Sequence, residues 1–376
     1  MQVTGAVVSE IGGNYEVQDL ELAEPQAGEV LVRVIASGMC HSDEHIRTGD
    51  TKQPLPLVMG HEGAGVVEKV GDGVTRVKPG DHMVTAFIPG CGKCDWCSQG
   101  MQFVCDNGNG MADGFLLNGT PRFHLPNGRG IGAFNRLGTF ANWLVTNEEQ
   151  CIRIDDDLPL DKACLVACGV ATGWGSSVNA ATVQAGDTVI VVGVGGVGIN
   201  AVQGAVMAGG HVVAVDPVSF KRDMAIKLGA SEAFASIADA MPFVHSITNG
   251  QGADKVVVTV GRVNGEVIGE SIRATRKMGT CVLTSVGQWD NGIDVSPWDI
   301  AIFARTIKGS LFGNCNPTRD IPRLMRYYRQ GRLNLDDLVT RTYRLDEVEQ
   351  GYRDMYDGKN IRGVILHEHT GGTAAA

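Results

Sequence analysis

Four of the ten cysteines in this 376-residue chain, Cys91, Cys94, Cys97 and Cys105, fall in one short window, PGCGKCDWCSQGMQFVC. The spacing C-x2-C-x2-C-x7-C, with glycine and proline around it, suits a tetrahedral zinc knot. Four sulfurs close such a site and leave no position for a substrate, so this metal is expected to be structural. Cys40 in CHSDEH, His61 in GHEGAG and Cys168 in ACGVATGWG offer different chemistry. Two sulfurs and one imidazole leave the fourth position of a tetrahedral zinc free for water or an alcohol. Zinc brings bound water to a pKa of about 7 and favours an alkoxide in the same way. Ser42 and His45 follow Cys40 closely enough for a short loop to place both near that metal. A histidine is suited to release a proton at neutral pH. A Cys and His scattered along a chain mean little alone, so this set takes its weight from its surroundings.

The strongest of those surroundings is a glycine loop. Gly193, Gly195 and Gly198 form G-x-G-x-x-G, with Gly196 and Val197 inside it, directly after the apolar TVIVV and at the start of the helical INAVQGAVMAGG. The first glycine turns the chain, the second admits a pyrophosphate to the backbone, and the third lets the helix pack. The helix N-terminus then presents free N–H groups and partial positive charge to phosphate. Asp216 ends the next strand, HVVAVD, where an acid holds the adenosine ribose hydroxyls. Its charge repels a 2′-phosphate, so the expected cofactor is NAD and not NADP.

The elements that position these residues fall into two rhythms. The first third alternates and is β-branched, in EVLVRVIASG, GAGVVEKVG, DHMVTAF, TFANWLVT and CIRI, which predicts a many-stranded, partly closed β domain. From about residue 170 strands alternate with helices: TVIVVG, HVVAVD, a short strand near EAFAS, ADKVVVTVG, GTCVLTSVG and RTIKGSLFG. That pattern predicts a parallel, doubly wound sheet of six strands. The last segment mixes helices (IPRLMRYYRQG, VEQGYRDMYDG) with a strand, RGVILHEH, and TGGTAAA reads as a disordered tail. The net charge of −10 and the lack of a basic run argue against a nucleic-acid partner. Neither a membrane-length apolar stretch nor a signal peptide is evident. The cysteines read as metal ligands and core residues, which fits a reducing cytoplasm.

Taken in order, CHSDEH, GHEGAGVVEKVG, PGCGKCDWC…C, CGVATGWG, GVGGVG and NIRGVIL resemble the zinc-dependent alcohol dehydrogenases of the medium-chain dehydrogenase/reductase superfamily, from about residue 5 to residue 367. The likeness is greatest to the long enzymes that carry two zinc ions, and extends to an actinobacterial, NDMA-dependent nicotinoprotein subgroup in which NAD stays bound through turnover. The resemblance implies an α/β fold: a GroES-like β-rich catalytic domain (1–169 and 312–376, with the structural zinc loop at 91–105) and a Rossmann NAD-binding domain (170–311), with the active site in the cleft between them. It implies that Cys40, His61 and Cys168 hold a catalytic zinc. Glu62 matches an acid that approaches the metal during ligand exchange, and Asp43 the carboxylate that orients the zinc-bound histidine. Ser42 matches the hydroxyl that accepts the substrate's proton, and His45 the end of a relay running through the nicotinamide ribose. Thr172 and Val197 match residues on the nicotinamide ring, Lys221 a partner of the adenosine ribose, and Arg362 an arginine on the pyrophosphate. His41 stands where several relatives have a second phosphate-binding arginine.

Phe87, Phe134, Phe140 and Trp289 lie in or near pocket-lining segments of such enzymes and suit an apolar primary alcohol, with core aromatics as the alternative reading. The long Gly/Asn-rich segment from Gly108 to Leu137 leans toward a homodimer built across the Rossmann sheets. The expected partners are thus a small alcohol or aldehyde, a second copy of the chain and an external redox acceptor. The competing functions are a thiol-adduct formaldehyde dehydrogenase or polyol dehydrogenase of the same family, and a non-enzymatic NAD-binding zinc protein. The intact Cys40, His61 and Cys168 set argues against the last, since a binder has no need of an open metal site.

Overall fold

The computed structural model describes residues 1–287 and 292–369, so Trp289 and the tail from Thr370 lie outside it. The chain divides into two compact units. One comprises Met1–Cys168, Asn316–Arg329 and the chain from Leu335 onward; the other comprises Gly169–Cys315 and Gln330–Asn334.

In the first unit, β-branched and alternating segments build two sheets. Gln2–Val8, Glu16–Leu22, Phe123–His124, Gly130–Ala133 and Leu57–Val58 close into a small barrel. The strands Cys151–Arg153, His82–Thr85, Glu62–Val70, Glu29–Gly38, Arg362–Leu366 and Val339–Tyr343 pair in that order, and Trp143–Asn147 joins Glu29–Gly38. Their inward side chains, among them Val30, Val32, Val34, Val67, Met83 and Leu144, form one core. The segment 108–137, which reads as a loop, contributes two of the barrel strands. Phe123 is fully buried there, and it is this apolar anchor that ties a Gly/Asn-rich stretch into the sheet.

The second unit carries a parallel sheet in the order Glu232–Phe234, His211–Val215, Thr188–Val192, Ala253–Val258, Thr275–Leu283 and Thr306–Gly309. The six expected strands are present among the described residues. One begins earlier than its glycine suggests: Gly279 lies within Thr275–Leu283 and does not open it. The order reverses beside Thr188–Val192, the strand that feeds the glycine loop, and such a switch point is where ligands bind in open α/β sheets. Valines of three central strands, with Ile190, Ile268 and Ile272, fill the core.

Candidate active site and metal centres

The four-cysteine window folds as a short helix, Asp95–Ser98, flanked by turns. Cys91 and Cys97 sulfurs are 3.8 Å apart, and Cys94 and Cys105 sulfurs 3.9 Å. Zinc–sulfur bonds of about 2.3 Å in a tetrahedron place sulfurs about 3.8 Å apart, so the set fits that ion. Backbone N–H groups of Lys93 and Cys94 donate to Cys91 Sγ, and that of Cys97 donates to Cys94 Sγ. The N–H groups of Asp106 and Cys97 bring the Cys94 thiol down to about 7. Such donors stabilise thiolates, the form that ligates metal.

Cys40, His61, Glu62 and Cys168 come together at a second point, each offering an atom within 4.8 Å of the others. Cys40 ends the strand Glu29–Gly38 through a two-residue link and precedes the helix His41–Arg47. His61 enters from a turn at Gly60, whose φ of +88° suits glycine. Thr85 fixes this corner: its Oγ1 accepts from Gly63 N–H at 2.9 Å and donates to the His61 carbonyl at 3.2 Å. Cys168 follows the 3-10 turn Cys164–Ala167, every residue of which is buried.

The surroundings orient these ligands. Asp43 Oδ2 lies 3.3 Å from His61 Nδ1, while its Oδ1 accepts from Gly60 N–H at 2.9 Å. Burial raises the Asp43 carboxyl, opposed by the imidazole beside it. With Nδ1 engaged, His61 Nε2 is buried and has no hydrogen-bond partner, an arrangement a metal satisfies. The Cys168 thiol donates toward Cys40, which pulls Cys40 well below the ordinary thiol range and holds Cys168 well above it. A cation between the two sulfurs would replace that shared proton. Burial raises the Glu62 carboxyl to about 7, against the pull of Arg362. The guanidinium of Arg362 grips Glu62 Oε2 and also donates to the Met39 carbonyl at 3.1 Å. Arg362 thus pairs with the carboxylate of the cluster, and Cys40, His61 and Cys168 supply its two sulfurs and one imidazole.

Ser42 Oγ is 3.6 Å from Cys40 Sγ, beside the cluster. His45 is buried, and its Nδ1 is 3.0 Å from Asp50 Oδ2. The His61 ring is flanked edge-on by Phe134 at 5.1 Å and Phe87 at 5.9 Å between centroids. Phe87 is the half-buried one and so the better wall for a ligand. Phe140 is fully buried and packs on Tyr15 and Tyr352, which makes it a core aromatic. The ring of His41 lies 5.7 Å from that of Tyr356. Residue types and spacing did not reveal the anchor of the helix His41–Arg47. Glu44 accepts from Arg47 through both oxygens at 2.7 Å and from Tyr15 Oη at 2.8 Å. Burial of Tyr15, stacked on Tyr352, is the signal that only the fold supplies.

The glycine loop behaves as its pattern predicts. Gly193 has φ +85°, a Cβ at Gly198 would crowd Thr259 Oγ1 at 2.6 Å, and a Cβ at Gly195 would meet only Lys221 Nζ at 3.9 Å. The loop is therefore shaped at its first and third glycines and open at its second. Asp216 braces it, accepting from Val194 N–H at 3.0 Å and Val218 N–H at 2.9 Å. Val197 caps the helix Gly198–Met207, and Thr172 sits in the helix Gly169–Gly175, whose Gly173 approaches the Val197 carbonyl.

The family model "Alcohol dehydrogenase GroES-like domain" matches residues 26–156, and "Zinc-binding dehydrogenase" matches residues 196–329. An NDMA-dependent alcohol dehydrogenase of Amycolatopsis methanolica is 47% identical over 369 residues, covering 98% of this chain and 99% of its own. The chain belongs to the zinc-dependent alcohol dehydrogenases. Among solved structures, an alcohol dehydrogenase zinc-binding domain protein from Burkholderia ambifaria superposes with a TM-score of 0.92 at 30% identity, covering 98% of this chain and 100% of its own. Benzyl alcohol dehydrogenase from Acinetobacter calcoaceticus gives 0.91 at 29% identity, again over 98% and 100% of the two chains. This dehydrogenase is thus an oxidoreductase with zinc and NAD as cofactors, and its two metal clusters fit one catalytic and one structural zinc. Among its described residues no helix is long and apolar enough to cross a membrane.

Proposed function

We propose that the enzyme oxidises an apolar primary alcohol to the aldehyde, that NAD stays bound between turnovers, and that an external acceptor reoxidises it in place. The observation that carries the chemistry is the buried Cys40–His61–Cys168 cluster with Ser42 beside it. A zinc held there by Cys40, His61 and Cys168 would polarise the alcohol oxygen and lower its pKa, and NAD held on the glycine loop would supply the hydride acceptor. Asp43 keeps the imidazole of His61 aimed at the metal. Arg362 holds Glu62 beside the ligand set, from where Glu62 approaches the metal when a ligand exchanges. The hydroxyl of Ser42 accepts the substrate's proton and passes it on, and His45 delivers it to solvent. Gly193, Gly195, Gly196, Gly198, Lys221 and Asp216 hold the dinucleotide, with Thr172 and Val197 against the nicotinamide and His41 and Arg362 on the phosphates. The aromatic edges of Phe87 and Phe134 beside His61 favour an apolar substrate over a polyol.

Retention of the nucleotide is supported by 47% identity to the NDMA-dependent relative. A homo-oligomer is supported by the exposed Trp298, Ile302 and Leu311 around the sheet-edge strand Thr306–Gly309, and a cytoplasmic location by ten cysteines that are all unpaired by disulfides. The deciding experiment is extensive dialysis followed by denaturation and nucleotide assay. Near-stoichiometric NAD(H), with alcohol oxidation driven by an artificial acceptor and no added NAD, is the expected result. Nucleotide-free protein that consumes added NAD+ at every turnover overturns retention and leaves a freely exchanging alcohol dehydrogenase.

A further inference from the structure

The helix His41–Arg47 ends in a turn that folds back on it. Thr48 caps the last turn, its N–H and its Oγ1 each 2.8 Å from the Glu44 carbonyl. Gly49 then adopts φ +79°, a left-handed helix ending, and Thr51 N–H donates to the His45 carbonyl at 2.9 Å. This return carries Asp50 to the side chain of His45. Asp50 Oδ2 lies 3.0 Å from His45 Nδ1, and the two side chains are only 5% and 9% exposed. The same oxygen lies 3.2 Å from Thr48 Oγ1. The ring of His41 lies 6.3 Å from that of His45.

We propose that Asp50 is the positioning residue of His45. A carboxylate can only accept, so the ring nitrogen that faces it carries the hydrogen. Asp50 therefore fixes neutral His45 with its proton on Nδ1 and leaves Nε2 as the nitrogen that takes up and releases protons. The logic is that of an acid that holds a catalytic histidine in one tautomer without itself gaining the proton. The turn at Gly49 makes the device local: five residues of chain hold both partners, and no distant element has to move to keep them in register. This inference rests on the reading of His45 as the proton's exit, and deepens it by naming the nitrogen that works.

The test labels the histidines of the intact holoenzyme with 15N and identifies His45 by the signal lost in His45→Gln. The 15N shifts of the neutral ring report its tautomer without turnover. Wild type is expected to carry the proton on Nδ1. Asp50→Ala is expected to populate the Nε2-protonated form, and Asp50→Glu to restore the Nδ1 form. In a single turnover with saturating alcohol and nucleotide, Asp50→Ala should lower the oxidation rate roughly tenfold or more, leave the KM for alcohol within about twofold, and be partly rescued in Asp50→Glu. Wild-type His45 protonated on Nε2 overturns the proposal even if neither Asp50 variant folds, as does an Asp50→Ala enzyme whose tautomer switches while its rate stays normal. His45→Gln with an unimpaired rate instead overturns the underlying relay, and the tautomer signal tells the two failures apart.

Discussion

On the proposed ligand set, the sulfur of Cys168 serves activity and not the fold. The residue is buried at the end of a 3-10 turn whose apolar neighbours, not the sulfur, hold the chain in place. Cys168→Ala removes one of three metal donors and leaves that packing. The variant should stay folded, hold one zinc in place of two by metal analysis, and lose turnover by about a thousandfold or more. Full activity in Cys168→Ala would reject the ligand set. In the proposed relay His45 acts one step later, on the proton. His45→Gln should slow alcohol oxidation roughly tenfold near pH 7 and progressively less toward pH 10, where hydroxide takes the proton without the imidazole. A pH–rate profile that keeps its wild-type shape removes His45 from the mechanism. At this scale the sequence was informative wherever chemistry depends on residue type and short spacing, as in CHSDEH and GHEGAG. It was silent on Asp50 and Glu44. Which carboxylate meets which partner depends on a left-handed glycine and on a tyrosine brought from residue 15, and neither leaves a spacing to read. Phe140 shows the converse. An aromatic beside a functional segment can belong to the core, and only its burial against Tyr15 and Tyr352 decides which.

Elements with a strong period were legible and punctuated ones were not. The parallel strands read directly, because valine-rich runs buried on both faces have few alternatives once helices alternate with them. The helix Ile237–Ile247 escaped notice since Pro242 lies inside it and reads as a breaker. The helix Gly265–Ala274 opens at Asn264, whose side chain accepts from Val267 N–H at 2.9 Å, a cap that Gly265 and Gly269, on either side of Glu266, Val267 and Ile268, obscure. The strand–loop–helix of the glycine motif was legible in both order and detail because each glycine answers a separate steric demand. Its prediction concerns Asp216, which does two jobs. Its carboxylate braces the loop through Val194 and Val218, and on the proposed reading it also faces the adenosine ribose, where it would repel a 2′-phosphate. Asp216→Ala should therefore weaken NAD binding through the loosened loop and raise use of NADP relative to NAD by about tenfold or more. Nucleotide binding and turnover measured with both cofactors check this. A wild-type enzyme that already prefers NADP would show that the end of this strand has been misread.

For the molecule as a whole, the two metal sites divide stability from activity, and the division follows from how each is closed. The Cys91–Cys94–Cys97–Cys105 knot offers four sulfurs, so a chelator finds no position to enter, whereas Cys40, His61 and Cys168 offer a zinc three donors and, on the proposed reading, leave its fourth position for substrate. A bidentate chelator such as phenanthroline should therefore remove one zinc per chain and abolish turnover. The melting temperature should fall by less than about 3 °C, because the remaining knot and the sheets still hold the unit. The knot yields to different chemistry. Cys94 is only half-buried, and its thiol is brought down to about 7, so it is the sulfur open to a thiol reagent. An organomercurial should release the second zinc. The window 91–105 contains a short α-helix, a 3-10 turn at Gln102–Val104 and no strand, so a metal would carry much of its order, and its loss should cost about 5–10 °C. Cys97→Ala should reproduce that loss in an enzyme whose catalytic ligands are untouched, and its residual turnover per folded chain should stay close to wild type. Native mass spectrometry alongside calorimetry reads zinc count and melting temperature on the same sample. If the chelator takes both ions together, or if the first ion lost carries the whole drop in melting temperature, the two clusters do not divide the work in this way.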